Sequence, residues 1–156
     1  PTLHKDLPEF IKKIKDIGFM VKLDTNGTNP DMLAQLVKDN SVDYVAMDIK
    51  APWGKYEEIV GVKIDPEKLK QSVMILENCT VPYEMRSTIA PAWHDEDSIK
   101  IMAEQIPVEA VWYLQKFLGE RELVDNNFIN ARSFTDAEMG EMLRVAKEVR
   151  EKARLR

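Results

Sequence analysis

Helical stripes alternate strictly with short apolar runs along this chain, and that alternation limits its fold more than any other feature. Four runs read as strands: Phe19–Asp24, Asp43–Ile49, Val81–Ile89 and Val108–Phe117. Between and around them, apolar residues recur at the three- and four-residue spacing of a helix with one buried face. The first stripe is Leu7, Phe10, Ile11, Ile14 and Ile17, stopped by Gly18. Met32, Leu33, Leu36 and Val37 form the second, broken at Asp39-Asn40, and Leu69, Val73, Met74 and Leu76 the third. Ile99, Met102, Ala103 and Ile106 follow, then Met139, Met142, Leu143, Ala146 and Val149. Helix starts stand where they should: Asp6 with Pro8, Asn29-Pro30, Asp65-Pro66, Asp95, and a Thr135–Glu138 capping box. Tyr56–Val60 reads as a turn of helix, and the aperiodic polar stretch Gly119–Ser133 as an ordered loop over one end. Such alternation predicts an α/β fold with a parallel sheet and right-handed crossovers, either doubly wound or an arc of a βα barrel.

The polar residues inside the strands decide between these. Side chains alternate faces along a strand, so Lys22 shares a face with Asp24, Asp48 with Lys50, Glu84 with Arg86 and Thr88, and Tyr113 with Gln115. Turned toward the helices, these charges would be buried against apolar stripes at a cost of several kcal/mol each, on the order of that for any unpaired buried charge. The expectation is that they point together into the concave side of a curved sheet. There they would serve a polar ligand or fill the interior as structural ion pairs.

Composition narrows the setting. At 156 residues the chain suits a single domain over 1–156, or a piece of a larger one. Its net charge of −5 argues against a nucleic-acid partner, and no apolar run approaches the ~20 residues of a membrane span. No signal peptide opens it, so a cytoplasmic protein is expected. The basic stretch Arg150–Arg156 reads as a solvated helix end. The single cysteine, Cys79, excludes an internal disulfide or a multi-cysteine metal site and reads as a small buried hydrophobe. His4 and His94 lack metal-ligand spacing; the first reads as loop packing, the second as exposed at a helix start.

The stretch Phe19–Gly27, FMVKLDTNG, delivers Asp24, Thr25 and Asn26 to the carboxyl end of a strand before a sharp Asn-Gly turn. Ligands gather at that end in parallel α/β folds. Asp48 and Lys50 arrive at the end of the next strand. Two carboxylates with the Thr25 hydroxyl are hard oxygen ligands for a small cation, and Lys50 with Arg86 suits a substrate carboxylate. This chemistry points to a zwitterionic or anionic small ligand. A Schiff-base lysine is the alternative, without an obvious apolar pocket to lower its pKa. Trp53, Tyr56 and Trp93 stand near strand ends, either lining a peptide or adenine site or simply packing.

The segments PTLHKDLPEFIKKIKDIGFMVKLDTNGTNP, VDYVAMDIKAPWGKY, YEMRSTIAP and WYLQKF, in that order, resemble the radical S-adenosylmethionine enzymes. The likeness is to the glycyl-radical activase branch: the activating proteins of anaerobic ribonucleoside-triphosphate reductase and of pyruvate formate-lyase. It covers most of the chain up to Phe117, and Pro1 matches the last residue of the family's GGEP turn. The resemblance implies the last four strands of a partial (βα)6 TIM-like barrel. It implies that Asp24, Thr25, Asp48 and Lys50 lie beside the methionine moiety of S-adenosylmethionine, with Asn26 in the same turn. Asp24, Thr25 and Asp48 would help to hold a monovalent cation and Lys50 would contact the carboxylate. Arg86 matches a strand-end arginine near the cofactor, and Gln115 falls where the last strand approaches adenosine or substrate.

The family's CxxxCxxC loop, which ligates a [4Fe–4S] cluster, is not in this sequence. The expectation is therefore a portion of a longer enzyme, inactive alone. The whole would cleave S-adenosylmethionine to a 5′-deoxyadenosyl radical and install a glycyl radical on a partner enzyme, with flavodoxin or ferredoxin as electron donor. A cluster-free binding module and a barrel enzyme using Asp/Lys acid–base steps are the alternatives. With no earlier strand to pair with, Phe19–Asp24 is expected at an open sheet edge where the chain self-associates.

Overall fold

The computed structural model describes residues 1–119 and 131–156. Its elements are α1 (Leu7–Asp16), β1 (Lys22–Thr25), α2 (Pro30–Lys38), β2 (Tyr44–Asp48), α3 (Tyr56–Val60), α4 (Pro66–Glu77), β3 (Tyr83–Ile89), α5 (Glu96–Gln105), β4 (Val111–Lys116), α6 (Asp136–Val149) and β5 (Ala153–Leu155). A 3-10 turn, Trp53–Lys55, leads into α3. All strand pairs are parallel and the sheet order is β1-β2-β3-β4-β5.

Local chemistry starts most helices where the sequence places them. The Asn29 side chain accepts from the Met32 amide, Asp65 from Glu67, and reciprocal boxes join Asp95 to Ser98 and Thr135 to Glu138. Asp6 precedes α1 but makes no side-chain cap bond. Leu23, Val45, Met47, Met85, Ile89, Trp112 and Leu114 on the strands form one core with Ile11, Leu33, Leu36, Leu76, Ile99, Met102 and Val145 on the helices. A parallel sheet inside a doubly wound fold is apolar on both faces. Here the helices cover one face, and the other carries the charges predicted for it, joined across strands by ion pairs. That asymmetry is the mark of a barrel arc. Among the described residues no helix is long and apolar enough to cross a membrane.

The structure corrects several expectations. Among the described residues the sheet has five strands: Ala153–Leu155, within the stretch read as a solvated helix end, pairs with Trp112–Leu114. A three-residue strand with two basic residues nearby carries too little periodicity to be seen. Strand β1 begins at Lys22, and Phe19 and Met20, read as part of a buried strand, are 65% and 80% exposed. On α1, Leu7 and Ile11 are buried whereas Phe10 and Ile17 face solvent. Met74 is exposed, and Ser72 takes a buried place on α4 by donating to the Gly27 carbonyl at 2.8 Å. Cys79 is only partly buried, its thiol 3.3 Å from the Val81 carbonyl. His94 is buried, not exposed. The expected loop Gly119–Ser133 lies for the most part outside the described residues. Strand β1 does form one edge of the sheet, as anticipated.

Candidate functional site

Three strands deliver charge to one rim. Asp24 comes from β1, Asp48 from the end of β2, and Arg86, paired in register with Asp48, from β3. The guanidinium bridges both carboxylates: Nη1 donates to Asp24 Oδ2 at 2.9 Å, and Nε and Nη2 reach Asp48 Oδ1 at 3.0 and 2.9 Å. Burial works against the Arg86 charge, but hydrogen bonds and proximity to the two aspartates outweigh it and raise its pKa further. Arg86 is thus the counter-ion that lets two aspartates stand together.

The turn after β1 is held by its own polar atoms. Thr25 is buried and its hydroxyl accepts from the Gly27 amide at 3.1 Å. Asn26 Oδ1 accepts from both the amide and the hydroxyl of Thr28. Gly27 takes a positive φ of 74°, and a Cβ there would stand 2.2 Å from Met47 Cε. Pro1, Thr2 and Leu3 cover this turn and share a hollow with Asp24, Thr25, Asn26 and Asp48, tied by an Asn29 amide bond to the Thr2 carbonyl.

Asp48 also opens onto a second cleft of about 330 Å³, with Lys50, Thr88 and His94 among its polar wall and Ile59, Val60, Trp93 and Phe117 as its apolar one. Trp93 and Phe117 meet edge to face, 6.3 Å between centroids. The Lys50 ammonium makes no hydrogen bond or ion pair to the described residues, so a cation stands uncommitted beside Asp48. Its backbone is fixed. The amide donates to the Tyr56 hydroxyl at 3.1 Å, and the carbonyl lies 3.1 Å from His94 Nε2. His94 Nδ1 lies 3.1 Å from the Ala90 amide and 3.3 Å from the Ala90 carbonyl; the shorter contact, with the amide as donor, assigns the imidazole proton to Nε2, where it faces the Lys50 carbonyl. Burial lowers the His94 pKa and pushes that of Tyr56 up to about 12, in both cases favouring the neutral form.

Of the sequence-predicted residues, Asp24, Asp48 and Arg86 therefore meet at one rim, with Thr25 and Asn26 in its turn, and Lys50 shares the adjoining cleft with Asp48. Gln115 stands one strand away, in register with Thr88 and outside both hollows. His94 was expected to be exposed, and Tyr56 only to line a peptide or adenine site or to pack; neither was expected to hold Lys50. Their role depends on backbone atoms of Lys50, which leave no spacing in sequence.

At the opposite end of the strands, Glu84 is nearly buried between Lys22 and Arg156, at 3.0 and 2.8 Å, and also meets the Tyr44 hydroxyl at 3.2 Å. Arg156 lies over the Tyr113 ring. These charges close the floor of the polar face.

The model of the Radical SAM superfamily matches residues 1–104, which contain every group at the rim. The chain belongs to the radical SAM superfamily. A Methanocaldococcus jannaschii protein described as a glycyl-radical enzyme activating enzyme is 33% identical over 153 residues, covering 95% of this chain and 63% of its own length. A Pyrococcus horikoshii protein described as a GTP 3′,8-cyclase is 25% identical over 129 residues, 82% of this chain and 41% of that protein. The chain thus spans less than two thirds of the curated relatives it matches. A solved domain of a pyruvate-formate lyase-activating enzyme from Bacteroides vulgatus superposes with a TM-score of 0.75 over 100% of this chain and 93% of that one, at 14% identity. The radical SAM partial-barrel fold is common to both.

Proposed function

We propose that this chain is the S-adenosylmethionine-binding part of a glycyl-radical activating enzyme. The observation that carries the reading is the Lys50 ammonium, uncommitted among the described residues, in a cleft it shares with Asp48 and with the apolar Ile59, Val60, Trp93 and Phe117. S-adenosylmethionine joins a carboxylate, an ammonium and a sulfonium to an aromatic base. The donor set fits it: Lys50 for the carboxylate, Asp24 and Asp48 for positive charge, and the wall of Ile59, Val60, Trp93 and Phe117 for the apolar part. A monovalent cation would be held by Asp24 and Asp48 through oxygens that Arg86 does not use, with Thr25 beside them. Asn26 would border the ligand from the turn, whereas Gln115, outside both hollows, would meet only a part of the ligand that extends toward β4.

A [4Fe–4S] cluster does not fit within these residues. It needs several thiolates, and the one cysteine lies between α4 and β3, at the far end of the strands. Its ligands would belong to other sequence. When bound, S-adenosylmethionine supplies the hydrogen-abstracting chemistry that installs a glycyl radical on a partner enzyme of the anaerobic ribonucleotide reductase or pyruvate formate-lyase type. Electrons would come from a flavodoxin or ferredoxin. The chain's own residues bind, orient and neutralise, and by themselves complete no turnover. The activating enzyme is favoured over a cyclase because that relative matches more of the chain at higher identity.

Titrating the isotope-labelled chain with S-adenosylmethionine and following its amide resonances tests this. Shifts should concentrate at Asp24–Gly27, Asp48–Lys50 and Thr88–His94, and Lys50→Ala should abolish them. Shifts elsewhere, or none, overturn the reading.

A further inference from the structure

We propose that Tyr56 and His94 are positioning residues that clamp the Lys50 backbone from both sides and so fix where its ammonium stands. Both are almost inaccessible to solvent, at 2% and 4% exposed. The Tyr56 hydroxyl accepts the Lys50 N–H at 3.1 Å and lies 3.5 Å from the Asp48 carbonyl, so it can donate to the residue two positions earlier. Its ring stacks on Trp53, 5.8 Å between centroids, which keeps the hydroxyl in place. From the other side His94 Nε2–H donates to the Lys50 carbonyl. With the Ala90 amide donating to Nδ1 at 3.1 Å, nearer than the Ala90 carbonyl at 3.3 Å, the ring proton is assigned to Nε2.

The clamp is anchored in two separate elements. Tyr56 opens α3, whereas His94 stands one residue before the N-cap of α5. With its amide nitrogen toward Ala51, Gln105 at the end of α5 donates to the Ala51 carbonyl at 3.2 Å and accepts from the Trp53 amide at 2.8 Å. The loop after β2 is therefore pinned at Lys50, Ala51 and Trp53. A lysine side chain has four rotatable carbons, so fixing its Cα removes the backbone share of the freedom that ligand binding would otherwise have to restrict. Two buried polar side chains hold the backbone of a residue whose own ammonium makes no hydrogen bond or ion pair among the described residues. That arrangement stabilises the position of a group meant for something else.

The ligand arm of the test rests on the proposed carboxylate-binding role of Lys50; the backbone arm does not. In the ligand-free chain, hydrogen exchange of the Lys50 amide should quicken by about tenfold in Tyr56→Phe, which removes its acceptor; in His94→Phe the Ala90 amide loses its acceptor and should quicken likewise, with the Lys50 amide following as its freed carbonyl loosens the loop. His94→Gln should restore protection, since its amide can both accept from Ala90 and donate to Lys50. Lys50→Ala should leave exchange slow. Tyr56→Phe removes only a hydroxyl and retains the ring, so it reads out the clamp even if His94→Phe fails to fold. Affinity for S-adenosylmethionine should then fall in Tyr56→Phe and His94→Phe and recover in His94→Gln. Unchanged exchange in Tyr56→Phe and any folded His94→Phe overturns the clamp. Faster exchange with affinity unmoved, where Lys50→Ala weakens binding, overturns the positioning role. If the unmodified chain binds no S-adenosylmethionine, the proposed function fails and exchange alone decides the clamp.

Discussion

Arg156 Nη1 donates to Glu84 Oε1 at 2.8 Å across 72 residues of sequence, so β5 reaches over β4 to neutralise a carboxylate on β3. Burial pushes the Glu84 carboxyl up, but the hydrogen bonds and charges of Lys22 and Arg156 outweigh it and hold its pKa below the usual glutamate value.

The sign of the resulting pH dependence follows. A depressed carboxylate pKa contributes stability that is whole above the unfolded value, about 4.3, and is lost as pH falls through the folded one. Glu84→Gln should lower stability by about 1–2 kcal/mol at neutral pH, because it uncharges a nearly buried partner of two cations. The gap to the unmodified chain should shrink below about pH 4.3 in thermal melts at graded pH. A gap that stays constant would mean that Glu84 acts by packing alone.

Arg86→Ala should invert a salt effect. With the guanidinium present, added salt screens an attraction; without it, salt screens the repulsion between Asp24 and Asp48. The difference in melting temperature between the two proteins should therefore narrow as ionic strength rises. Widening would show that the aspartates do not repel one another in the variant.

Gly27→Ala carries two costs that a double-mutant cycle separates. A positive φ disfavours alanine by about 1 kcal/mol, and the new methyl overlaps the buried Met47 side chain. Denaturant melts should give a total of about 2–3 kcal/mol, most of the excess vanishing on a Met47→Ala background. Equal costs on both backgrounds would place the whole effect in the backbone.

The β1 edge predicts concentration-dependent association. Phe10, Ile17, Phe19 and Met20 are exposed on or beside α1 and β1, next to the unpaired side of an edge strand. Sedimentation velocity should show a growing larger species as concentration rises, reduced by Met20→Lys. A monomer at every concentration would remove the expectation.

What could be read from the sequence divides along physical lines. Alternating faces and helical periods reflect where each side chain points, so Asp24, Asp48, Lys50 and Arg86 could be assigned to one rim before any coordinates. The Asp95 and Thr135 caps were legible because the capping bond is local. Contacts that run through backbone atoms were not. His94 lost its apparent exposure because its partners are the Lys50 carbonyl and Ala90 amide, and β5 was hidden because its only signal is a partner strand. Phe10 and Ile17 show the converse: an apolar residue on a helical period need not find a core to enter.

Strand order in this sheet equals chain order, which bears on how the molecule is made. Each strand pairs with the one synthesised just before it, so no segment has to wait for a distant partner, and loop closure adds only slowly to the entropic cost. A nascent chain can extend the sheet one unit at a time as it leaves the ribosome. Glu84 is the exception. It emerges with β3, finds Lys22 already in place, and keeps an unmet demand for charge through the synthesis of two more helices and a strand. Only when Arg156 arrives is the floor of the polar face complete.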